Sequence, residues 1–383
     1  AARQIIADES QDPLENNRRF LKLLRDGVDV EVREGNSART LKARLIDAAD
    51  PLANDYLAVQ QCTIVGVDER RPDIIAFVNG LPLAVLELKD PANAGATLRS
   101  AYNQLQTYRA RIPALFRFNA ALVISDGLDA KIGSLTAGLD RFSPWRTIDG
   151  AAPSTALDLE TLVRGVFDKA HFVELACFYQ AYEITDGAAK AKKFAGYHQF
   201  HAVRKALAAT ERAASPGGDR KAGVIWHTQG SGKSFTMALF ASRLEQAAAL
   251  GNPTVVVVTD RNDLDDQLFD TFAEHPDLFV SPPEAVENRD DLRAKLARAS
   301  GGIIFTTMQK FALSAGETEF PRLTERRNVV VIADEAHRTQ YGFGSRVSVS
   351  ETAASLTSGG FAQHLSNALP NPAFIGFTGT PVE

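Results

Sequence analysis

Short apolar runs, which alternate in part with polar positions, dominate the first 170 residues. The pattern predicts strands, and 95–111 fits a helix. The predicted strands lie at 56–67, 73–78, 82–88 and 119–125. Two of them flank Asn79-Gly80, a dipeptide typical of β-hairpin turns. The first part of the chain is therefore predicted to contain a sheet with a buried hairpin.

From residue 195 onwards the pattern changes, because short strands rich in Val and Ile alternate with helical segments. These strands are apolar on both faces, which is typical of the interior of a parallel sheet covered by helices. They lie at 223–228, 254–260, 302–307, 329–334 and 373–379. The second part is predicted to be a doubly wound α/β domain, with its chemistry at the carboxyl ends of the strands.

The two patterns predict two domains, 1–170 and 171–383, and an α/β fold class. Small and polar residues at 147–161 indicate a loop inside or after the first domain. A similar stretch at 210–223 indicates an exposed loop before a strand. We find no internal repeat in the sequence.

A phosphate-binding loop is predicted at "HTQGSGKS" (227–234), between a strand and a helix. Its glycines let backbone N–H groups turn toward phosphates, and the helix N-terminus adds its dipole. Its lysine would reach the β- and γ-phosphates of a nucleotide, and the last serine would hold Mg²⁺. The residues assigned to the nucleotide are Gly230, Ser231, Gly232, Lys233 and Ser234. The strict pattern has glycine where His227 stands, so a glycine-rich turn with a chance lysine is the alternative.

Two acidic residues support that assignment. The segment "VVVIADEAHR" (329–338) is a predicted buried strand that ends on Asp334 and Glu335. A parallel neighbour of the phosphate-loop strand needs an aspartate there for Mg²⁺ and a glutamate to orient the attacking water. The alternative is a strand end with two solvated acids.

A second candidate site lies on the hairpin, in "RPDIIAFVNGLPLAVLELKD" (71–90). Strand alternation places Glu87 and Lys89 on one face, about 7 Å apart. With Asp73 of the partner strand beside Glu87, two carboxylates could hold Mg²⁺, and Lys89 could steady the attacking water or the scissile phosphate. Such a site suits metal-assisted phosphodiester hydrolysis. A simple Glu87–Lys89 ion pair on a sheet is the alternative.

The register of the hairpin decides whether the two acids meet. A two-residue loop at Asn79-Gly80 would put Asp73 on the wrong face from Glu87. Convergence requires an odd loop, and we predict Val78-Asn79-Gly80 with the glycine at positive φ in a bulge. A tight two-residue turn with no bulge elsewhere in the hairpin would separate the acids.

The second half resembles superfamily-two helicases and translocases, through "DEAH" (334–337) and "FTGTP" (377–381). The resemblance implies that His337 couples the nucleotide state to motion. The segment "GYHQFHAV" resembles an adenine-sensing motif carried by Gln199, although Gln199 could be an ordinary helix residue. Further residues implied are Thr378, Gly379 and Thr380 in the third motif, and Arg261, Thr307, Gln309 and Lys310 as contacts with the DNA backbone.

The hairpin resembles the PD-(D/E)xK nuclease pattern, as Pro72-Asp73 and Glu87-Leu88-Lys89. Gln104 and Tyr108 lie four apart on one helical face and resemble the QxxxY placement of RecB-like nucleases, where that helix supports the active site and the DNA. Tyr108 could instead be an ordinary core aromatic. RecB-like nucleases often use an acid from an earlier helix, for which Glu15 is a poor candidate.

Taken together, these motifs closely resemble the motor and nuclease (R) subunit of type I restriction enzymes. The resemblance implies a restriction-endonuclease-like mixed sheet followed by a RecA-like parallel sheet. It also implies ATP- and Mg²⁺-dependent translocation and cleavage of double-stranded DNA, with methyltransferase and specificity subunits as partners. Because the sequence stops after the third motif, we expect a fragment without the second RecA-like lobe, which binds ATP·Mg²⁺ but hydrolyses it slowly.

Composition adds constraints on the setting. No apolar run approaches the ~20 residues that span a bilayer, and the start lacks a signal-peptide pattern. Cys62 and Cys177 fit no disulfide or metal spacing, which favours a reducing cytoplasm. The net charge of −5 argues against a wholly basic nucleic-acid coat but permits a local basic groove. Residues that could form such a groove, or a solvated helix face, are Arg99, Arg109, Arg111 and Arg117.

Three other functions stay open from the sequence. A repair helicase-nuclease acting at DNA ends would carry the same motifs without a specificity subunit. A first domain that only clamps DNA would leave the work to the motor. A small-molecule kinase with a P-loop is disfavoured by Asp334-Glu335 and by the nuclease-like first half.

Overall fold

The computed structural model describes residues 12–34, 37–93, 95–259, 262–313, 317, 320–335 and 361–380. The chain divides into two compact units, Ala1–His201 and Ala202–Glu383. This division by packing lies after the domain boundary predicted at residue 170, which remains a prediction. None of the described helices is both long enough and apolar enough to cross a membrane.

The first unit is built on a six-stranded mixed sheet with the order β10-β9-β8-β7-β6-β3. Its elements are α1 (Pro13–Asp26), β1 (Val28–Glu34), β2 (Ser37–Ala43), β3 (Tyr56–Gln60), β4 (Ile64–Val65), β5 (Glu69–Arg70), β6 (Ile74–Val78), β7 (Leu81–Leu88), α2 (Leu98–Arg111), α3 (Pro113–Phe116), β8 (Ala121–Ser125), β9 (Ala130–Gly133), β10 (Ser143–Pro144), α4 (Asp158–Val166), α5 (Lys169–Phe178), β11 (Gln180–Thr185), β12 (Ala188–Phe194) and α6 (Tyr197–Ala214), which crosses the division.

Helix α2 joins β7 and β8, which pair in parallel, in a βαβ crossover. It starts with a capping box in which Thr97 and Ser100 bond each other's backbone N–H groups. Its buried face covers the centre of the sheet, and the core that results contains Ile75, Val85, Leu105, Tyr108, Ile112, Leu122 and Ile124. Each large apolar side chain buried here stabilises the fold by about 1.5–3 kcal/mol. The helix therefore lies over the sheet face that carries Val85 and, by strand alternation, Glu87.

A buried polar cluster ties the N-terminal helix to the β11–β12 hairpin, which the sequence did not predict. The Lys192 ammonium, wholly enclosed, donates to Asn17 Oδ1 at 2.8 Å and to the Asn119 carbonyl at 2.6 Å. Tyr182 donates to the same Asn17 oxygen at 2.5 Å. Burial places the pKa of Lys192 well below its ordinary value, and the charge of Arg25 lowers it further. The hairpin after residue 170 thus packs as part of the first unit.

The second unit is an all-parallel six-stranded sheet with the order β13-β18-β17-β14-β16-β15 among the described residues. The five predicted strands are present, and the short β15 was not foreseen. After α6, the elements are β13 (Lys221–Trp226), α7 (Lys233–Gln246), β14 (Thr254–Thr259), α8 (Asn262–Ala273), β15 (Glu284–Ala285), α9 (Arg289–Leu296), β16 (Ile303–Thr307), β17 (Val329–Ala333), α10 (Phe361–Ala368) and β18 (Ala373–Thr378).

The strand order corrects one expectation about the motor-like half. We expected the strand that ends on Asp334 to be a direct neighbour of the phosphate-loop strand. Instead, β18 lies between β13 and β17 and pairs with both. Asp334 still lies at the carboxyl end of its strand, where its backbone N–H donates to the Val258 carbonyl at 2.9 Å. The acidic pair and the phosphate loop thus lie at the same end of the sheet, the carboxyl end of its strands.

Candidate functional sites

The hairpin turn differs from the predicted one. Val78 pairs with Leu81, so Asn79-Gly80 is a tight two-residue turn with both φ values positive, at 49° and 77°. The predicted loop Val78-Asn79-Gly80 is therefore wrong. The dipeptide adopts the two-residue turn because asparagine and glycine both tolerate the left-handed conformation.

A bulge further along the hairpin restores the register that the site needs. Phe77 pairs with Pro82 and Ala76 with Ala84, which leaves Leu83 as the extra residue of β7. Beyond the bulge, Ile74 pairs with Leu86, so the register places Asp73 opposite Glu87. Directly opposite residues share a face of a sheet. The acids are brought together by a bulge at Leu83 rather than by the turn.

Glu87 is a buried carboxylate, only 2% exposed. Burial raises the pKa of Glu87 and the charge of Asp73 adds to the increase, although hydrogen bonding to Lys89 works against it. The Lys89 ammonium contacts Glu87 Oε1 at 2.5 Å. Glu87 Oε2 is buried without a hydrogen-bond partner among the described residues. A buried carboxylate oxygen left in this way fits a ligand for a metal cation.

Helix α2 covers this site and contributes Tyr108 and Gln104 to it. Tyr108 is a core residue and also a neighbour of Glu87. Burial and the charge of Glu87 together raise the pKa of Tyr108 to about 12. Its hydroxyl is in hydrogen-bonding contact with Gln104 and with Glu87, and it also lies 3.3 Å from the Arg71 carbonyl, to which it can donate. The single hydroxyl proton can go to only one of these acceptors at a time. Tyr108 therefore lies beside Glu87, and Gln104 contacts Tyr108; their roles in the site remain a prediction.

Asp73 is held at both carboxylate oxygens. Its Oδ2 accepts from the Leu88 backbone N–H at 2.8 Å, and its Oδ1 accepts from Gln61 Nε2 at 2.7 Å. Each oxygen has a second lone pair, so both bonds leave room for a cation. The described residues contain no group of three or more His, Cys, Asp or Glu side chains arranged for a metal ion. Among the described residues, the acidic ligands of a cation here would be Asp73 and Glu87.

The phosphate loop leaves β13 and leads directly into α7. Gly230 and Gly232 have φ values of 78° and 86°, a left-handed conformation that turns successive N–H groups to one side. No side chain caps the start of α7 at Gly232. His227 Nδ1 and Ser231 Oγ lie 3.0 Å apart and brace the turn from within. The loop has the backbone geometry of an anion-binding site.

Lys233 joins this loop to the acidic strand end. Its ammonium lies 2.7 Å from Asp334 Oδ1 and also contacts Glu335 Oε1. Burial alone would lower the pKa of Lys233, but the charges of both acids and their hydrogen bonds outweigh burial and raise it. Glu335 has a φ of 49°, which is uncommon for a residue with a side chain. The lysine therefore pairs with both of the acids at this strand end.

Most of the other predicted residues belong to the second unit, and Gln199 belongs to the first. The Thr378 carbonyl accepts from the His227 N–H at 2.9 Å, so the third-motif strand adjoins the phosphate loop, and Gly379 and Thr380 follow it. Gln199 lies in the first unit, where its Oε1 accepts from the Gly196 N–H at 3.0 Å. Ser234 is half-buried on the first turn of α7. Arg261 and His337 lie outside the described residues.

Three of the four residues predicted to contact the DNA backbone lie in the described part of the chain, and their contact with DNA remains a prediction. Thr307 is buried at the end of β16, whereas Gln309 and Lys310 lie on the 3₁₀ turn that follows. Lys310 donates to the Val286 carbonyl at 2.5 Å. In the first unit, Arg109 donates to Gln106 at 2.7 Å, and Arg111 lies 3.9 Å from Asp68. Helical geometry separates positions 109 and 111 by about 200° around α2, so they do not form one basic face.

Comparisons with known proteins agree with the two-part organisation. Residues 1–141 match the family described as "Type I restriction enzyme R protein N terminus", and 198–383 match the family "SWI2/SNF2 ATPase". The type I restriction enzyme HindI endonuclease subunit of Haemophilus influenzae is 46% identical over 97% of this chain. A putative type I endonuclease subunit of Methanocaldococcus jannaschii, MjaIXP, is 34% identical over 95% of the chain.

The chain spans about a third of these relatives, since it covers 35% of the length of each. Among solved structures, the yeast DEAD-box splicing factor Prp28 aligns with a TM-score of 0.26 and 12% identity. That alignment covers 42% of this chain and 37% of the yeast chain, and its score is too low to bear on the fold.

Proposed function

Because the chain belongs to the family of type I restriction enzyme R (endonuclease) subunits, we propose that it contributes to ATP-dependent translocation of double-stranded DNA coupled to DNA cleavage. The first unit would carry the nuclease and the second unit the first lobe of the motor. The observation that carries the proposal is the bulged hairpin, which sets Asp73 opposite Glu87 and leaves Glu87 Oε2 buried without a partner.

In the nuclease, Asp73 and Glu87 would hold a divalent cation, which activates water and stabilises charge on the scissile phosphate. We assign it as Mg²⁺, because hard carboxylate oxygens are the ligands Mg²⁺ prefers. The Lys89 ammonium would leave Glu87 to orient the attacking water or to contact the phosphate. Tyr108 and Gln104 would hold helix α2 over the site, since Tyr108 packs in the core and lies 3.3 Å from the Arg71 carbonyl.

In the motor lobe, the phosphate loop would bind the β- and γ-phosphates of ATP through its N–H groups and Lys233. Ser234 and Asp334 would bind the Mg²⁺ of the nucleotide, and Glu335 would orient the attacking water. Gln199 would sense the adenine, and His337 would couple the nucleotide state to motion. Lys233, which lies 2.7 Å from Asp334 Oδ1, would have to exchange that contact for the phosphates.

The partners in this proposal are double-stranded DNA and the methyltransferase and specificity subunits of a restriction complex in the cytoplasm. The alternative is a repair helicase-nuclease that acts at DNA ends. The two differ in what starts translocation. A restriction complex requires its recognition sequence on a circular plasmid, whereas an end-acting enzyme requires a free end.

The experiment is plasmid cleavage by the complete complex, with ATP present or withheld, for the parent and for Glu87→Ala and Lys89→Ala. We expect ATP-dependent cutting by the parent and none by either variant, while both still bind ATP. Nicking that persists in both variants would show that the first unit only clamps DNA. Cutting that requires a free end instead of a recognition sequence would favour the end-acting enzyme.

A further inference from the structure

Gln61 lies next to the proposed metal ligands, and no sequence motif pointed to it. Gln60 pairs with Ile74 across β3 and β6, and the same register sets Gln61 opposite Asp73. Since Asp73 lies opposite Glu87 on the other side, the three residues form a row across the ends of three adjacent strands. The row lies on one face of the sheet.

Gln61 contacts Asp73 twice. Its backbone N–H donates to the Asp73 carbonyl at 3.0 Å, and its side-chain amide donates to Asp73 Oδ1 at 2.7 Å. The Leu88 N–H holds the other carboxylate oxygen. The Asp73 carboxylate is therefore clamped between an amide from one neighbouring strand and a backbone donor from the other.

The backbone of Gln61 is itself unusual. Its φ is 50°, a left-handed value that costs roughly 1–2 kcal/mol for a residue with a Cβ atom. It ends β3 and interrupts the strand that the sequence predicted to continue to residue 67. Such conformations persist where surrounding contacts impose them, and they cluster at functional sites.

Asp73 needs this clamp more than Glu87 does. Glu87 is enclosed by the core and by Lys89, so few rotamers are open to it. Asp73 is only half-buried and lies at the strand end, where a short carboxylate could otherwise rotate away from the cation. A donor that fixes a ligating carboxylate commonly affects metal affinity as strongly as some ligands do.

We propose that Gln61 is a positioning residue of the nuclease, which holds Asp73 in the orientation that binds the divalent cation. The inference rests on the proposed nuclease function. It predicts that the amide of Gln61, rather than its backbone, sets the metal affinity. Glycine should keep the left-handed backbone and its N–H bond while removing the amide.

The test is a titration of the 383-residue chain with Mn²⁺ alone, followed by electron paramagnetic resonance, in the absence of DNA and nucleotide. Glu87→Gln defines the signal that belongs to the hairpin site. Gln61→Gly is the main variant, and Gln61→Asn is the second, because asparagine also tolerates positive φ but is one methylene too short to reach Asp73. Thermal melting reports whether each variant is folded.

Asn252→Gly is the matched control. Asn252 is also an amide at positive φ, with a φ of 53°, and its side chain donates one hydrogen bond, to Ser300 at 3.2 Å in the second unit. Its replacement removes the same kind of interaction away from the acids. It should leave Mn²⁺ binding at the hairpin unchanged.

We expect both Gln61 variants to weaken Mn²⁺ binding about tenfold at an unchanged melting temperature. In the complete complex, the Mg²⁺ concentration for half-maximal cleavage should rise by a similar factor, with most of the rate recovered at saturating Mg²⁺. If Glu87→Gln removes the signal but folded Gln61 variants bind Mn²⁺ like the parent, the role of Gln61 is wrong and the nuclease proposal survives. If Glu87→Gln leaves the signal intact, both proposals are wrong.

Discussion

Each unit of the chain contains a cluster of one lysine and two carboxylates, but the two clusters are assembled differently. On the hairpin, Lys89 and Glu87 come from one strand and Asp73 from its neighbour. In the second unit, Asp334 and Glu335 are adjacent in sequence, and Lys233 comes from a loop far earlier in the chain. The hairpin cluster depends on the register of two neighbouring strands. The cluster in the second unit depends on two segments that both follow the carboxyl ends of parallel strands.

The electrostatics of the two clusters differ as well. In the hairpin cluster, burial dominates and raises the pKa of Glu87, so the carboxylate is the strained partner. In the second unit the acids dominate and raise the pKa of Lys233, so the lysine is satisfied. A carboxylate with an unused buried oxygen suits the capture of a cation. A satisfied lysine that blocks its own acids suits a site that opens when a nucleotide offers it phosphates.

The largest effect should come from Lys233→Ala, which tests whether the clusters work independently. Removal of a charge-assisted contact to phosphates should weaken ATP binding about 100-fold or more. Mn²⁺ binding at the hairpin should not change, because Lys233 contacts Asp334 and Glu335 and not the acids of the hairpin. Equilibrium binding of a fluorescent ATP analogue and the Mn²⁺ titration measure the two effects. A parallel loss of both would show that the sites are not separate.

Glu245→Gln tests whether a strained buried acid is by itself a sign of function. Burial raises the pKa of Glu245 to about 7, although its Oε2 accepts from the Val280 N–H at 3.1 Å. Protonation of Glu245 therefore stabilises the fold below its unfolded pKa, and that contribution is lost as pH rises through about 7. The amide should raise the free energy of unfolding by about 3 kcal/mol above that pH and by little in acid.

Chemical unfolding at several pH values measures that change in stability, and plasmid cleavage is its control. Glu245 lies near the C-terminal end of α7, about three helical turns from Lys233, so cleavage by the complete complex should be unchanged. Glu87→Gln, in contrast, should abolish cleavage. If Glu245→Gln also reduced cleavage sharply, Glu245 would not be a purely structural acid and the contrast with Glu87 would be wrong.

A smaller effect is expected in the pH dependence of metal binding. The carboxylate of Glu87 must be ionised to bind a cation, and its raised pKa means that protonation begins at a higher pH than for an ordinary glutamate. Mn²⁺ affinity at the hairpin should fall about tenfold per pH unit below that pKa. ATP binding through Lys233 should show no loss from lysine deprotonation on the alkaline side within the neutral range. Identical pH profiles for the two sites would contradict the comparison.

The sequence predicted more of the second unit than of the first, for a physical reason. Parallel strands buried on both faces are continuous apolar runs, and all five predicted strands are present. The first unit depends on register, which composition does not encode. The bulge at Leu83 lies within an unbroken apolar run, so no residue type in the sequence indicates it. The odd residue was therefore predicted in the turn instead of in the strand, although the resulting register does set Asp73 opposite Glu87.

Residues that act through long-range packing were also missed. Gln61 becomes a neighbour of Asp73 only through the pairing of β3 with β6. The Lys192 cluster joins residues far apart in the chain, and a lysine in a strand is normally expected to face solvent. The motif residues Asp73, Glu87, Lys89 and Tyr108 were identified because their spacing is local, and their catalytic roles remain a proposal.

The most direct test of the account is anomalous diffraction from crystals of the chain soaked in Mn²⁺. The account predicts a peak between Asp73 and Glu87, with carboxylate oxygens of both residues about 2.0–2.3 Å from the ion and Leu83 still bulged. The peak should disappear in Glu87→Gln. A well-ordered hairpin with no peak, or with the ion bound to only one of the two acids, would contradict it.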